Sequence, residues 1–252
     1  MQMRGNTIFI TGGGSGIGRA LAEAFHRLGN KVIISGRRAE RLQATIDANP
    51  GMFAVELDVT NPDSIKRVAA DLIAKYPTLN VLINNAGVML LDDVDGAVDE
   101  RLFETTVKTN IGGPVRMSAA LIDHLKAQSN AAIVNVTSVL GFVPLVATAI
   151  YSATKAALHS YTLSQRHALR AAGVEVIEIA PPWVRTELLN SSEEARAMPL
   201  AAFIEGAMAQ LAQGSDEILV GDAIRMRANP GAAEHGWVSE FNNIMTSSAA
   251  LG

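Results

Sequence analysis

Tyr151 and Lys155 stand four positions apart in Tyr151-Ser152-Ala153-Thr154-Lys155. On a helix, residues four apart share a face, so a phenol and an ammonium can enter one pocket. An ammonium beside a phenol favours the phenolate and lowers its pKa. The result is a proton donor and acceptor usable near neutral pH. Ser138 precedes the pair with a hydroxyl, and Thr11-Gly12-Gly13-Gly14-Ser15-Gly16-Ile17-Gly18 lies near the start of the chain. Gly12, Gly16 and Gly18 fall where an apolar run hands over to a helix. Glycine there lets the backbone approach a pyrophosphate, and the helix N-terminus offers free N–H groups and a positive dipole end. The spacing is G-x-x-x-G-x-G, not the G-x-G-x-x-G fingerprint. Taken singly, each feature has an ordinary explanation: a tight turn, a chance helical pair, a strand-end cap. Together, and in this order, they point to nicotinamide-dependent carbonyl chemistry.

The elements that must position these residues alternate along the chain. Strand-like runs are expected at Thr7–Thr11, Lys31–Ser35, Met52–Leu57, Val81–Asn84, Ala132–Val136 and Val174–Ile179. Helical segments separate them. These run from Gly16 to Leu28, from Arg38 to Ala48, after Asn61-Pro62-Asp63, from Asp99 to Gln128 and from Ile150 to before Gly173. Gly112-Gly113-Pro114 reads as a break in the fourth, and residues 187–213 as helix interrupted near Met198-Pro199. Such alternation implies an α/β fold of Rossmann type, one doubly wound parallel sheet with helices on both faces. Its ligands bind at the carboxyl ends of the strands. One domain over residues 1–252 is expected, with a substrate-loop region at about 187–213. A variable C-terminal tail follows at about 221–252, with a turn at Asn229-Pro230-Gly231 and a frayed end.

Composition narrows the class. Of 252 residues, 48% are hydrophobic and 18% charged, as a buried sheet with amphipathic covering helices requires. A net charge of -4 gives no reason to expect nucleic acid. There is no cysteine, which removes disulfides, thiolate nucleophiles and cysteine-held metals. The chain opens without a basic-then-apolar leader. Its longest mainly apolar stretch, 139–150, is broken by Gly141 and Pro144 and is too short to span a bilayer. A soluble cytoplasmic protein with no membrane partner is expected. The five histidines show no ligand spacing with carboxylates, so packing or surface roles and no metal site are expected. Asp92, Asp93, Asp95 and Asp99 read as a solvated loop and helix cap.

Five ordered motifs resemble those of the classical short-chain dehydrogenase/reductase family over roughly residues 5–190. They are TGxxxGxG at Thr11–Gly18, NNAG at Asn84-Asn85-Ala86-Gly87, an asparagine at Asn110, a serine at Ser138, and YxxxK at Tyr151–Lys155. The resemblance implies a catalytic set of Asn110, Ser138, Tyr151 and Lys155. Ser138 would hydrogen-bond the substrate oxygen, and Tyr151 would give or take its proton. Lys155 would tune Tyr151 and hold the nicotinamide ribose, while Asn110 would orient a water leading from Lys155 to solvent. Implied cofactor contacts are Gly12, Gly14, Ser15, Gly16, Ile17, Gly18, Asp58, Val59, Asn85, Ala86, Gly87, Tyr151, Lys155, Pro181, Val184 and Thr186. Arg37 and Arg38 stand where an acid would select a free ribose. Two guanidiniums suit a 2′-phosphate instead, so NADP(H) is expected in preference to NAD(H).

The resemblance has departures. Pro182 replaces the glycine usual after the sixth strand, which stiffens that loop, and the C-terminal part lacks the usual Asp-Gly-Gly. The matched loops offer Leu90, Val139, Leu140, Phe142, Leu145, Trp183 and residues 188–203 as pocket candidates. These are mostly apolar, so a ketone, aldehyde or secondary alcohol of apolar character is expected as the small-molecule substrate. Ala153, Ala157, Ser160, Ser164, Ala168 and Ala171 form a small-residue stripe. It suits either intrachain packing or, as the resemblance implies, a homodimer or homotetramer. The alternative reading is a non-catalytic nucleotide-sensing protein on the same fold.

Overall fold

A computed structural model describes residues 1–228 and 231–247. The described residues form one parallel sheet of seven strands in the order β3-β2-β1-β4-β5-β6-β7. The strands are β1 (Thr7–Thr11), β2 (Lys31–Gly36), β3 (Phe53–Glu56), β4 (Leu79–Asn84), β5 (Ala132–Val136), β6 (Glu175–Ile179) and β7 (Glu217–Ile218). Between them run α1 (Gly16–Arg27), α2 (Ala39–Ala48), α3 (Pro62–Lys75), α4 (Glu100–Val107), α5 (Gly113–Lys126), α6 (Ala149–Leu169) and α7 (Leu200–Ala212). After β7 come α8 (Asp222–Arg227) and α9 (Glu234–Ser247). Strand side chains alternate between faces. Ile8 and Ile10 of β1 pack with Leu21 and Phe25 of α1 and Phe203 of α7. Phe9, between them, joins Val68 and Leu72 of α3 and Leu121 of α5 on the opposite face. The winding reverses between β1 and β4, which opens a crevice at their carboxyl ends.

Three details differ from the sequence expectation. The region 187–197 is not α-helical: Leu188–Glu193 is a 3-10 segment, and α7 begins only after Pro199. The break near Gly112 is a π-helical turn, Lys108–Gly112, that leads directly into α5. Pro114 starts α5 inside this continuous helical run, where its missing N–H leaves one helical bond unmade beside the π-helical turn. Residues 221–247 are largely helical, and Phe241 of α9 packs against Leu140 and Leu145. The turn expected at Asn229-Pro230-Gly231 falls partly at residues 229–230, and the frayed end at 248–252; both lie outside the described residues. No described helix is long and apolar enough to cross a membrane.

Candidate functional site

The glycine turn is built against β4. Gly12 has φ +68, and a Cβ there would meet the Ala86 Cα at 2.9 Å. A Cβ on Gly18 would lie 2.4 Å from the Gly12 carbonyl oxygen. Thr11 Oγ1 accepts the backbone N–H groups of Asn85 (3.0 Å) and Ala86 (3.1 Å). The Asn85 amide in return donates to the carbonyls of Thr11 (3.0 Å) and Gly12 (3.1 Å). Ser15 caps α1 without a side-chain bond to its N–H groups. The turn thus presents a bare helix N-terminus to the crevice, which suits an anion. Asn84 points away and bonds Ser118 and Asn135 in the interior.

One cleft of about 1130 Å³ connects this turn to Ser138, Tyr151 and Lys155. That exceeds the usual range of small-ligand pockets, about 300–1,000 Å³, and leaves room for a dinucleotide beside a second small molecule. Gly12, Gly14, Ser15, Gly16, Ile17, Gly18, Asn85, Ala86 and Gly87 line it. So do Arg37, Arg38, Asp58, Val59, Pro181, Val184 and Thr186. Arg37 and Arg38 are exposed, and Arg38 reaches Ser15 Oγ at 3.4 Å. Asp58 Oδ1 is taken up by the Thr60 N–H (2.9 Å) and hydroxyl (2.8 Å), which fixes the turn after β3. Sequence reasoning missed Arg41, in the first turn of α2, which pairs with Glu187 at the cleft. Their separation in the chain left no local signal.

At the other end stand Ser138, Tyr151 and Lys155. Tyr151 and Lys155 are both buried, on the same face of α6, with the ammonium 5.5 Å from the ring centroid. Burial pushes the Tyr151 phenol up to about 12, partly offset by a hydrogen bond with Ser138. The chain's own groups therefore do not depress this phenol in the way proximity to lysine led one to expect; desolvation outweighs them. Burial likewise lowers Lys155 to about 8, against the opposing charge of Glu178. Its ammonium donates to the Val136 carbonyl at 2.9 Å.

Asn110 lies in the π-helical turn, a kind of irregularity frequent at functional sites. Its amide donates to the Val88 carbonyl (2.9 Å) and Thr154 Oγ1 (3.0 Å), and its oxygen accepts the Val88 N–H (2.9 Å). It thereby ties the loop after β4 to α6.

Val139, Leu140, Leu145 and Trp183 give the cleft an apolar wall, as expected. Leu90 and Phe142 do not line it. Leu90 faces outward at 39% exposure, and the wall takes its neighbour Met89. Phe142 packs into a separate cluster with Val143 and Ala180. Phe203, within the expected substrate-loop region, is wholly buried in the core. The sequence reading also overlooked Met226, Phe241, Ile244 and Met245, which α8 and α9 bring to the cleft.

His159 has a carboxylate partner that sequence spacing did not show, for its Nδ1 lies 2.8 Å and 3.0 Å from the two Glu178 oxygens. Ligand-capable atoms of His159, Glu178 and Glu217 gather within 4.8 Å of one another. Arg227 already pairs with Glu217 at 2.8 Å, and Thr137 donates to Glu178 at 2.6 Å. The group is satisfied by its own neighbours.

A glycine turn at the switch point of a parallel sheet, opening onto a serine, tyrosine and lysine in one cleft, defines a nucleotide-binding oxidoreductase. The chain belongs to the short-chain dehydrogenase/reductase family, whose short chain dehydrogenase model matches residues 6–197. It is 43% identical over 195 residues to the uncharacterized oxidoreductase DltE of Bacillus subtilis, covering 77% of each chain. An uncharacterized oxidoreductase of Staphylococcus aureus is 34% identical over 182 residues, 71% of this chain and 78% of the relative. Among solved structures, a short chain dehydrogenase from Burkholderia cenocepacia in complex with NADP superposes with a TM-score of 0.83. It is 30% identical, and the match covers 94% of this chain and 99% of that one. A 3-ketoacyl-(acyl-carrier-protein) reductase from Brucella melitensis complexed with NADH gives a TM-score of 0.76 at 26% identity, covering 84% and 92%.

Proposed function

We propose that the protein is an NADP(H)-dependent reductase of apolar ketones or aldehydes, or the corresponding secondary-alcohol dehydrogenase. The observation that carries this reading is the convergence of Ser138, Tyr151 and Lys155 on the apolar end of a cleft whose other end is a glycine turn flanked by arginines. The bound nicotinamide would supply or take the hydride at the carbonyl carbon. Ser138 holds the substrate oxygen. Tyr151, kept protonated by burial, donates its proton to that oxygen as the carbon is reduced. Lys155 holds the nicotinamide ribose and favours the phenolate left behind. Asn110 fixes Val88 and Thr154, and so the wall facing Lys155.

Relatives in complex with NADP and with NADH support a nicotinamide cofactor. Arg37 and Arg38, with no acid at the end of β2, support the phosphorylated form. Ala153, Ala157, Ser160, Ser164 and Ala168 are exposed on α6, which supports a homo-oligomer formed through that face. Intact Ser138, Tyr151 and Lys155 argue against a pure nucleotide sensor, which needs no proton donor.

The test is NADPH oxidation across a panel of apolar and charged carbonyl compounds, with Tyr151→Phe as control. Turnover of apolar ketones or aldehydes by the wild type alone is expected. No turnover with any carbonyl, or equal turnover by the variant, overturns the reading.

A further inference from the structure

One buried carboxylate has no part in the reaction just described. Glu178 of β6 is wholly shielded from solvent. An unpaired carboxylate there would be strongly unfavourable, yet this one is well held. Thr137 Oγ1 donates to it at 2.6 Å, and His159 Nδ1 spans its two oxygens at 2.8 Å and 3.0 Å. Because Nδ1 meets two carboxylate oxygens, it carries the proton.

The end of β5 connects this carboxylate to the reaction residues. Val136 accepts the Lys155 ammonium, Thr137 grips Glu178, and Ser138 faces Tyr151. Three consecutive residues thus serve the lysine, the carboxylate and the tyrosine. Lys155 itself is only 4% exposed, and an ammonium so placed is disfavoured unless an opposite charge is near.

We propose that Glu178 is a positioning residue, the buried counter-charge that, held by Thr137 and His159, keeps Lys155 protonated behind Tyr151. This rests on the reading of Tyr151 and Lys155 as the reacting pair. The field of Glu178 opposes the fall that burial imposes on Lys155. The other groups facing Glu178 are His159 from α6 and Glu217 from β7, the latter paired with Arg227 of α8. Tyr151 is the other titratable group facing Lys155.

The experiment is a direct titration of Lys155 in the full chain. Protein carrying lysine labelled with carbon-13 at Cε is followed by proton–carbon correlation spectra, and the Lys155 signal is assigned by its loss in Lys155→Arg. In Glu178→Gln the midpoint is expected to fall by about one pH unit or more. Glu178→Asp, which keeps a carboxylate, restores most of the shift. A wild-type midpoint in Glu178→Gln overturns the proposal. If that variant does not stay folded, His159→Gln provides the test. It removes one of the two groups that hold the carboxylate, so the Lys155 midpoint is expected to fall part of the way. A wild-type midpoint there overturns the proposal as well. Where carbonyl turnover is measurable, the alkaline limb of kcat/KM in Glu178→Gln moves to lower pH with the lysine. Because the titration needs neither cofactor nor substrate, absence of turnover in the wild type would sink the functional reading alone.

Discussion

Asp92 closes the N-terminus of the helix that carries Tyr151, with its Oδ2 accepting the Ile150 N–H at 2.8 Å. Its Oδ1 takes the Ala149 N–H at 3.0 Å, and its own N–H donates to the Ala147 carbonyl at 3.0 Å. A residue of the segment between β4 and α4 thus caps α6 through space and sets where Tyr151 enters the cleft. Asp92→Ala is expected to lower the unfolding free energy by about 1 kcal/mol, as loss of a cap does. Turnover should fall more than cofactor affinity. Urea unfolding that places the variant level with the wild type would contradict the capping role.

Tyr151→Phe should abolish turnover and leave NADPH binding nearly intact, since the ring's packing survives without the proton. Lys155→Ala should damage both, because it removes a ribose contact as well as the charge behind the phenol. Calorimetry with each variant separates the two. Unchanged cofactor affinity in Lys155→Ala would remove the ribose role.

Lys155 also makes stability depend on pH. Its value of about 8 lies below the ordinary 10.5 because burial disfavours the ammonium. Between those values the unfolded chain binds more protons than the native one, so stability rises with pH. That contribution is complete above the unfolded value and is lost as pH falls through about 8. Tyr151, raised from 10.0 to about 12, works in the opposite sense, but only above pH 10. From pH 8 to pH 10 the wild type should therefore gain on the order of 2 kcal/mol relative to Lys155→Met. Parallel denaturant curves for the two proteins at both pH values would show that the lysine is not desolvated.

NADPH should bind more tightly than NADH. A charged hydrogen bond contributes roughly 1.5–3 kcal/mol, so Arg37 and Arg38 together suggest a preference of roughly tenfold to several hundredfold after desolvation. Gly36→Asp with Arg37→Ala should reverse it, since the new carboxylate accepts ribose hydroxyls and repels phosphate. The arginines are exposed, so added salt should narrow the gap. Equal dissociation constants for the wild type at low salt would mean that the arginines are plain surface residues.

What could be read from the sequence was local. The glycine turn, the tyrosine–lysine spacing and the ends of β1 and β5 depend on residues a few positions apart, and they stand where the pattern put them. Asp99 caps α4 as its position suggests. The cap by Asp92, 58 positions from Ile150, depends on how the chain returns. So do the His159–Glu178 pair, split between α6 and β6, and the Arg41–Glu187 bridge. β7 has two residues, too few for alternation to show. Leu90 and Phe142 were assigned to the pocket by their loops, but one residue's difference in a loop decides whether a side chain faces the cleft or the solvent.

The clasp between Asn85 and the glycine turn has a kinetic consequence. With four hydrogen bonds joining Thr11 and Gly12 to Asn85 and Ala86 at the ends of β1 and β4, the turn has already given up its freedom before a dinucleotide arrives. Ordering that falls before binding is not charged against affinity. Association at this end should therefore proceed as a rigid-body encounter, and any slow step in reaching the bound complex belongs to the far wall, where Arg41 pairs with Glu187.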